Sequence, residues 1–460
     1  MGLREIRDPI HGFVSLDTTD CQLLDSQPMQ RLRRIHQLAM ASALYPGATH
    51  TRFEHSLGVY HIASAICDRL GIDGDEKRLI QRAALLHDVG HGPFSHVSEI
   101  PLARYADPTC LRSDDLGPEE VHEAVTADII ERHPALTHAL SPSSRQAIAG
   151  LIRGTYPDPV AKAIISSPLD ADKQDYLLRD SHMCGVQYGV FDLDRLHQSL
   201  TTVSDAEGED ALAIEGDSVH VVEQFLMAKY YITNQVYAHR VRLITDQMLV
   251  RAIILGVEKD GIDELRELYA YDATDTFIQR YTEWDDYLFL ARFADESVSP
   301  GYCTKMLDAL QCRRLHKQMF EERLADFGDD ALDLIEPTDS LRCRIEQLAA
   351  EAISSAAGEH IDPLEVICYT YGRKSVRPGS AEQMSGVLVK TDGLPVPFVE
   401  RSDFYRSIEG MRSDTFITLF APVAYTNDVE RARLRRALEE PLHAAITEAA
   451  AGSSQEECSQ

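Results

Sequence analysis

The stretch Ala83-Ala84-Leu85-Leu86-His87-Asp88-Val89-Gly90-His91-Gly92-Pro93-Phe94-Ser95-His96 constrains this chain more than any other. An apolar helix runs into a His-Asp pair and stops at a Gly/Pro turn. Three histidines and one aspartate follow one another within a few turns' length of chain. Imidazole together with carboxylate suits a divalent metal. The extra histidines suit acid–base work on whatever that metal holds.

At 460 residues, with 44% apolar side chains, the chain can bury a large core and divide into two or three units. No apolar run approaches the roughly 18 residues of a membrane span. The start, Met1-Gly2-Leu3-Arg4-Glu5-Ile6, has no apolar signal core, and Ile6 spoils a myristoylation match. The 9 cysteines are scattered, odd in number and never spaced C-x-x-C, which reads as reduced thiols and a cytoplasmic location. Net charge is −29, and the 45 basic residues are nine Lys and thirty-six Arg. Acid-rich, Lys-poor chains are typical of salt-adapted cytoplasms, the alternative being an ordinary acidic protein. Broad nucleic-acid binding needs a basic face and is disfavoured. An anionic small substrate remains open where basic residues converge.

The organisation reads as mainly α, with a helical core and a smaller C-terminal α+β module. Asp8 to Val14 is a turn into a short strand. Pro28 to Ala43 has helical spacing at Leu32, Ile35, Leu38 and Met40. A helix from Arg52 to Leu70 ends at Gly71, and the next covers about Glu76 to Leu86. A short loop joins these two, so they lie antiparallel and His55 can meet His87-Asp88. Residues 119–135, 143–153 and 158–166 are helical. Over Asp170 to Asp180, Asp172, Tyr176 and Asp180 share one helix face. Leu212 to Val221 reads as a hairpin around Gly216-Asp217, followed by a long helix from Val222 to Gly256. Residues 260–325 look helical with breaks. Segments 366–371, 386–390 and 415–420 are β-like, and Asn427 to Ala451 is a helix ahead of a disordered polar end. Three units are expected: a core over 1–260, a helical extension over 261–355 and an α+β module over 356–460.

His55, then His87-Asp88, then Asp172, each on an expected helix, give the order H…HD…D. With Arg-Phe-Glu-His-Ser-Leu-Gly and His-Asp-Val-Gly-His-Gly-Pro-Phe-Ser-His, this pattern resembles the HD-domain phosphohydrolases. Within them it is most similar to the deoxynucleoside-triphosphate triphosphohydrolase branch. The likeness covers about residues 5–250. It implies an HD-domain helical core in which His55, His87, Asp88 and Asp172 ligate one divalent metal. The residues themselves fit Mg²⁺, Mn²⁺, Fe²⁺, Ni²⁺ or Zn²⁺, with positions left for water and a phosphate oxygen.

The resemblance also implies roles for the surrounding residues. His91, His96 and His122 correspond to active-site histidines, oriented by Glu99 and Glu123. The general acid is His96 or His122. Arg52, Lys173 and Tyr176 match groups that hold a triphosphate of about four negative charges. Lys229 stands where a vertebrate member carries Arg, keeping the charge without the bidentate fork. Asp180 and Gln37 match the pair that reads the sugar 3′-hydroxyl. Leu38 matches the apolar residue at C2′, and Tyr237 an aromatic closing the same side; for both, plain core packing is the alternative. Asp25, Gln30 and Arg33 match a guanine-reading activator site, with an ordinary helix start as the alternative.

The implied activity is metal-dependent hydrolysis of a deoxynucleoside triphosphate to deoxynucleoside and tripolyphosphate, activated by GTP or dGTP, in a homo-oligomeric dimer or tetramer. The competing enzyme reading is another HD reaction: a nucleotide phosphodiesterase, a (p)ppGpp hydrolase or a 5′-nucleotidase. Val-Gly-His-Gly after His87-Asp88 and the absence of Gly-Tyr-Pro weigh against two of these. A nucleotide sensor or single-strand nucleic-acid module is the reading from another class.

Overall fold

The computed structural model describes residues 4–111, 121–204, 208–295, 301–327, 339–373, 386–409 and 414–457. The chain opens with a hairpin, β1 (Arg4–Asp8) against β2 (Gly12–Leu16). Its turn is held by Asp8 Oδ1, which accepts from the Ile10 and His11 amides at 2.8 and 2.9 Å. Gly12, at φ 78°, takes the left-handed conformation that closes it. The expected helix from Pro28 to Ala43 does not form as one piece. A short helix, Gln27–Arg31, gives way to a single 3₁₀ turn, and Ile35 turns extended. His36 then bridges to Thr51, and Gln37 N donates to His50 O at 3.0 Å. Buried Arg31 donates to the carbonyls of Trp284, Val89 and His91, which tertiary pairing offers and helical periodicity does not register.

Helix α1 (Arg52–Leu70) starts at a capping box between Thr51 and Glu54 and ends at Gly71 with φ 73°. Helix α2 (Gly74–Leu86) packs along it, with Ile80, Ala83, Ala84, Leu85 and Leu86 fully buried. Burial on this scale stabilises by about 2 kcal/mol per leucine, which fixes the end of α2 where His87 and Asp88 follow. Helices α3 (Val121–Arg132) and α4 (Ala171–Cys184) complete the enclosure. The expected start of α3 at 119–120 lies outside the described residues.

The hairpin expected around Gly216-Asp217 is displaced. Strand β3 (Leu200–Ser204) pairs antiparallel with β4 (Asp210–Ile214), and Gly216-Asp217 is only the turn into the next helix. The single helix expected from Val222 to Gly256 is two: α5 (Val219–Ile232) and α6 (Arg240–Glu258). Between them Thr233–Tyr237 widens into a π turn, and extended His239 caps α6 by accepting the Val241 amide at 3.1 Å. Apolar periodicity runs through this break, so the sequence hides it. The helical stretch beyond 260 ends in a strand, β5 (Lys317–Arg323), where a helix was expected.

Helix α7 (Asp339–Ala357) precedes β6 (Ile367–Arg373), β7 (Leu388–Val389), β8 (Val396–Pro397) and β9 (Asp414–Ala421). Strand order is β5-β9-β6 in one antiparallel sheet and β3-β4-β7-β8 in another, so the C-terminal chain returns to extend the earlier hairpin. Helix α8 (Asp428–Glu457) runs past the expected end at Ala451, and residues 458–460 lie outside those described. Ile345, Ile353, Leu419, Leu434, Leu438 and Ile446 form a second core between α7, α8 and the β5-β9-β6 sheet. The protein is therefore mainly α, with a helical core and a smaller sheet-containing C-terminal region.

Candidate active site

The first turn of α1, the end of α2 and the first turn of α4 converge. His55 Nε2 lies 2.8 Å from Asp172 Oδ1 and 3.8 Å from Asp88 Oδ2. His87 Nε2 lies 3.2 Å from Asp88 Oδ1 and 3.7 Å from Asp172 Oδ1. The ligand atoms of His55, His87 and Asp172 fall within 4.8 Å of one another. Both Nε2 atoms are buried without a well-formed hydrogen bond. Both Nδ1 atoms, in contrast, are engaged: His55 with Asp175 Oδ2 at 2.7 Å, His87 with Ala84 O at 2.8 Å. An imidazole tied at Nδ1, with Nε2 turned toward carboxylates, is set to give Nε2 to a metal. Two such rings with two carboxylates fit a divalent ion.

The charges agree with this reading. Burial works against a protonated His55, yet the Asp172 and Asp175 carboxylates overcome it and push its pKa up to about 10. His87 is raised as well, with Asp88 and Asp172 outweighing its burial. Burial opposes the charge on Asp88, but Arg52, His87 and His91 hold it well below the usual carboxylate range. Asp172 is held down in the same way by His55 and His87. Cations gather here because the carboxylates demand them, and a metal answers the same demand.

Sequence reasoning passed over the residues that support these ligands. Asp175, fully buried, also accepts from His11 Nε2 at 2.6 Å and from Arg179 Nε and Nη2 at 2.8 and 2.9 Å. Arg179 Nη1 continues to Asp8 Oδ2 at 2.9 Å, so the N-terminal hairpin buttresses His55. The available signals were the Asp175–Arg179 pair at i, i+4 and the Asp8-Pro9-Ile10-His11 turn. Ser95 was missed too: it accepts from Arg52 Nε at 2.8 Å and donates to His36 O at 2.6 Å. Phe94 and Ser95 have φ of 63° and 57°, unusual for side-chain-bearing residues. Asp286 Oδ1, accepting the Phe94 amide at 2.7 Å, helps hold that loop.

Beside the ligands stands a second histidine group. The His91 and His122 rings stack at 4.2 Å, and His91 meets His96 edge-on at 5.1 Å. Gly90 permits the stack, since a Cβ there would overlap the backbone of α3. Glu99 serves all three rings, 2.8 Å from His96 Nδ1, 3.2 Å from His122 Nδ1 and 3.7 Å from His91 Nδ1. Burial raises Glu99, but the imidazoles, His96 foremost, pull it down to about 2. Burial and the neighbouring Arg52 push His91 well below the usual imidazole range, and burial, His96 and Arg52 lower His122. His96 is the exposed member. Glu123 lies near Lys173 and helps raise its pKa, with Asp170 and Asp172, against burial.

The remaining expected residues fall into groups. Arg52 spends Nη1 on Asp88 at 2.8 Å and keeps a buried Nη2 with no partner. Lys173 Nζ rests on its helix cap, Asp170, at 2.6 Å. Asp180 accepts from the Tyr237 hydroxyl at 2.5 Å and pairs with His50 Nε2 at 2.7 Å. Tyr176 meets Tyr237 edge-on at 6.3 Å. Gln37 is buried with Oε1 unpartnered. Leu38 packs with Ala41, Ala48, Tyr45, Cys184 and Tyr237. Lys229 is half-buried on α5. Gln30 Oε1 accepts from Arg33 Nε at 3.0 Å, and Arg33 lies over the Phe53 ring at 3.5 Å. Asp25 instead pairs with Arg4 at 3.1 Å on the surface.

The matching family models are the HD domain over residues 52–180 and the HD associated region over 191–442. The chain belongs to the HD-domain family, and its His55–His87–Asp172 group could hold a metal ion. It is 34% identical over 261 residues to the uncharacterised protein MJ1154 of Methanocaldococcus jannaschii, covering 57% of this chain and 51% of that one. It is 27% identical over 352 residues to human deoxynucleoside triphosphate triphosphohydrolase SAMHD1, covering 69% of this chain and 55% of the human protein. The chain thus spans little more than half the length of these relatives. A crystal structure of a hypothetical protein from Aquifex aeolicus superposes with a TM-score of 0.69 at 25% identity, covering 95% of this chain and 100% of that one. No described helix is long and apolar enough to cross a membrane.

Proposed function

We propose that the protein hydrolyses deoxynucleoside triphosphates to deoxynucleoside and tripolyphosphate. One observation carries the reading: Arg52 and Lys173 flank the carboxylate–imidazole centre, and the Asp180–Tyr237 pair lies two turns further along the same helix as Asp172. A triphosphate at the centre would direct its sugar toward that pair.

His55, His87, Asp88 and Asp172 would hold the metal, which supplies a Lewis acid and a water of lowered pKa. Arg52 offers its free Nη2 to a phosphate oxygen, and Lys173, Tyr176 and Lys229 complete the phosphate contacts. Water oxygen bonds to the α-phosphorus, the bond to the 5′-oxygen breaks, and that oxygen takes a proton. We assign the proton to His96, the exposed member of the group, whose Nδ1 is held by Glu99 at 2.8 Å. Glu99 and Glu123 orient the imidazoles and Lys173. Gln37 and Asp180 read the 3′-hydroxyl. A 2′-hydroxyl against Leu38 would be buried without a partner, at a cost of about 1–3 kcal/mol.

Asp25, Gln30 and Arg33 form the activator site for GTP or dGTP in this reading, and the assembly is a dimer or tetramer. A cytoplasmic location accords with the unpaired cysteines of the described residues. The test is a panel of eight NTPs and dNTPs with Mg²⁺ or Mn²⁺, each with and without GTP, with products resolved by ion chromatography. Tripolyphosphate from dNTPs is expected, and release of diphosphate or phosphate alone would overturn the proposal. Gel filtration with and without GTP tests the activator and assembly.

A further inference from the structure

The first turn of α6 carries a buried arginine that neither the metal centre nor the phosphate contacts use. Arg242 is 9% exposed, and its Nε and Nη1 make no hydrogen bond. Its one ionic partner among the described residues, Asp246, stands a turn along the helix, with Nε 3.4 Å from Oδ2. That contact is long, and Asp246 Oδ1 is itself buried without a partner. Two donors and an acceptor are therefore withdrawn from water side by side and left unmade. Such an arrangement is costly unless something else completes it.

Its position says what that is. The Arg242 guanidinium lies over the Tyr237 ring, 5.0 Å from the centroid. The hydroxyl of that same tyrosine bonds Asp180 at the sugar end of the site. The break between α5 and α6 creates this stacking, because His239 restarts the helix two residues after Tyr237. On its other side Asp246 stands close enough to His96 to feel its charge, along with that of Arg242. The pair thus lies between Tyr237, which bonds Asp180, and His96.

A phosphate chain offers only acceptors, so it would suit Arg242 but be repelled by Asp246. A nucleobase edge offers acceptors and N–H donors side by side, the complement of a guanidinium next to a carboxylate. We propose that Arg242 and Asp246 read the base of the bound nucleotide, Arg242 donating to a ring nitrogen or carbonyl and Asp246 accepting from an amino or ring N–H. This rests on the nucleotide reading above, but not on which phosphorus–oxygen bond is cleaved.

The test compares wild type with Arg242→Met, Arg242→Lys and Asp246→Asn. Calorimetry measures binding of the four α,β-imido dNTPs and of 2-deoxyribose 5′-triphosphate, which lacks a base. Arg242→Met is expected to weaken the nucleotides about tenfold, a loss typical of a deleted charged hydrogen bond, unequally among bases. The base-free triphosphate should bind wild type and variant within about twofold. Arg242→Met should raise KM more than it lowers kcat, and Asp246→Asn should reorder the four bases. Arg242→Lys keeps the charge over Tyr237 and loses the fork; it carries the test should the methionine variant not fold. Equal losses for the base-free compound would make Arg242 a phosphate or structural residue and overturn the inference. Unchanged nucleotide affinity would overturn it too. Wild type that binds dNTPs but releases diphosphate would sink the proposed reaction and leave base reading standing; wild type that binds no nucleotide would sink both.

Discussion

Replacing Asp175 by Asn tests whether the buried carboxylate behind His55 controls the metal. Each oxygen of Asp175 accepts one Arg179 N–H and one histidine: Oδ1 at 2.9 and 2.6 Å, Oδ2 at 2.8 and 2.7 Å. An amide keeps one acceptor and turns the other into a donor. Whichever way it rotates, its NH₂ confronts an Arg179 N–H. Breaking a buried ion pair costs about 3–5 kcal/mol. Here the low end applies, because Arg179 Nη1 retains Asp8 at 2.9 Å. His55 Nδ1 is left with a neutral carbonyl at best in place of a carboxylate, and weakening such a partner lowers metal affinity about 10–100-fold. Metal affinity by calorimetry and stability by urea denaturation are the two readouts. Stability lost with metal affinity held within about twofold would refute the role assigned to Asp175. Gly58→Ala gives an independent check, since a Cβ there would overlap the Asp175 carboxylate and the Arg179 guanidinium. It should shift both readouts in the same direction.

Three further outcomes are expected. Asp172→Ala should abolish turnover and metal retention while leaving far-UV circular dichroism unchanged, because the side chain sits half-exposed at a helix start; residual turnover above about 1% of wild type (~2.7 kcal/mol of barrier) would contradict its ligand role. Metal binding to the apo-protein at pH 7 should release at least one proton, since His55 titrates at about 10 and must surrender Nε2. Its raised pKa makes affinity climb from pH 6 to 9, and calorimetry in buffers of different ionisation enthalpy reads the proton directly; heats independent of buffer would refute this. Leu38→Ala should cut the dGTP-over-GTP preference about tenfold, from room opened beside C2′, and a kcat/KM ratio equal to wild type would remove Leu38 from sugar discrimination.

The positions of the proposed ligands were legible because each sits at a helix end with strong local marking. The Thr51–Glu54 capping box, Gly71 and the Asp170 cap set where α1 and α4 begin or stop, and apolar periodicity set α2. Local interactions encode helix ends, so His55, His87, Asp88 and Asp172 could be placed by number. The segment 28–43, the break at 233–239 and the strand at 317–323 could not. There the partners are distant in sequence: Arg31 with Trp284, His36 with Asp286, β5 with β9. Hydrogen-bond demand met across such separations overrides local propensity and leaves no periodic trace. The same holds for function. The sequence and its family resemblance proposed the metal ligands. Only the packed chain put Asp175, His11 and Arg179 behind His55, stacked His122 on His91, and set Arg242 over Tyr237, because burial decides which polar atoms are left without water and must find another partner.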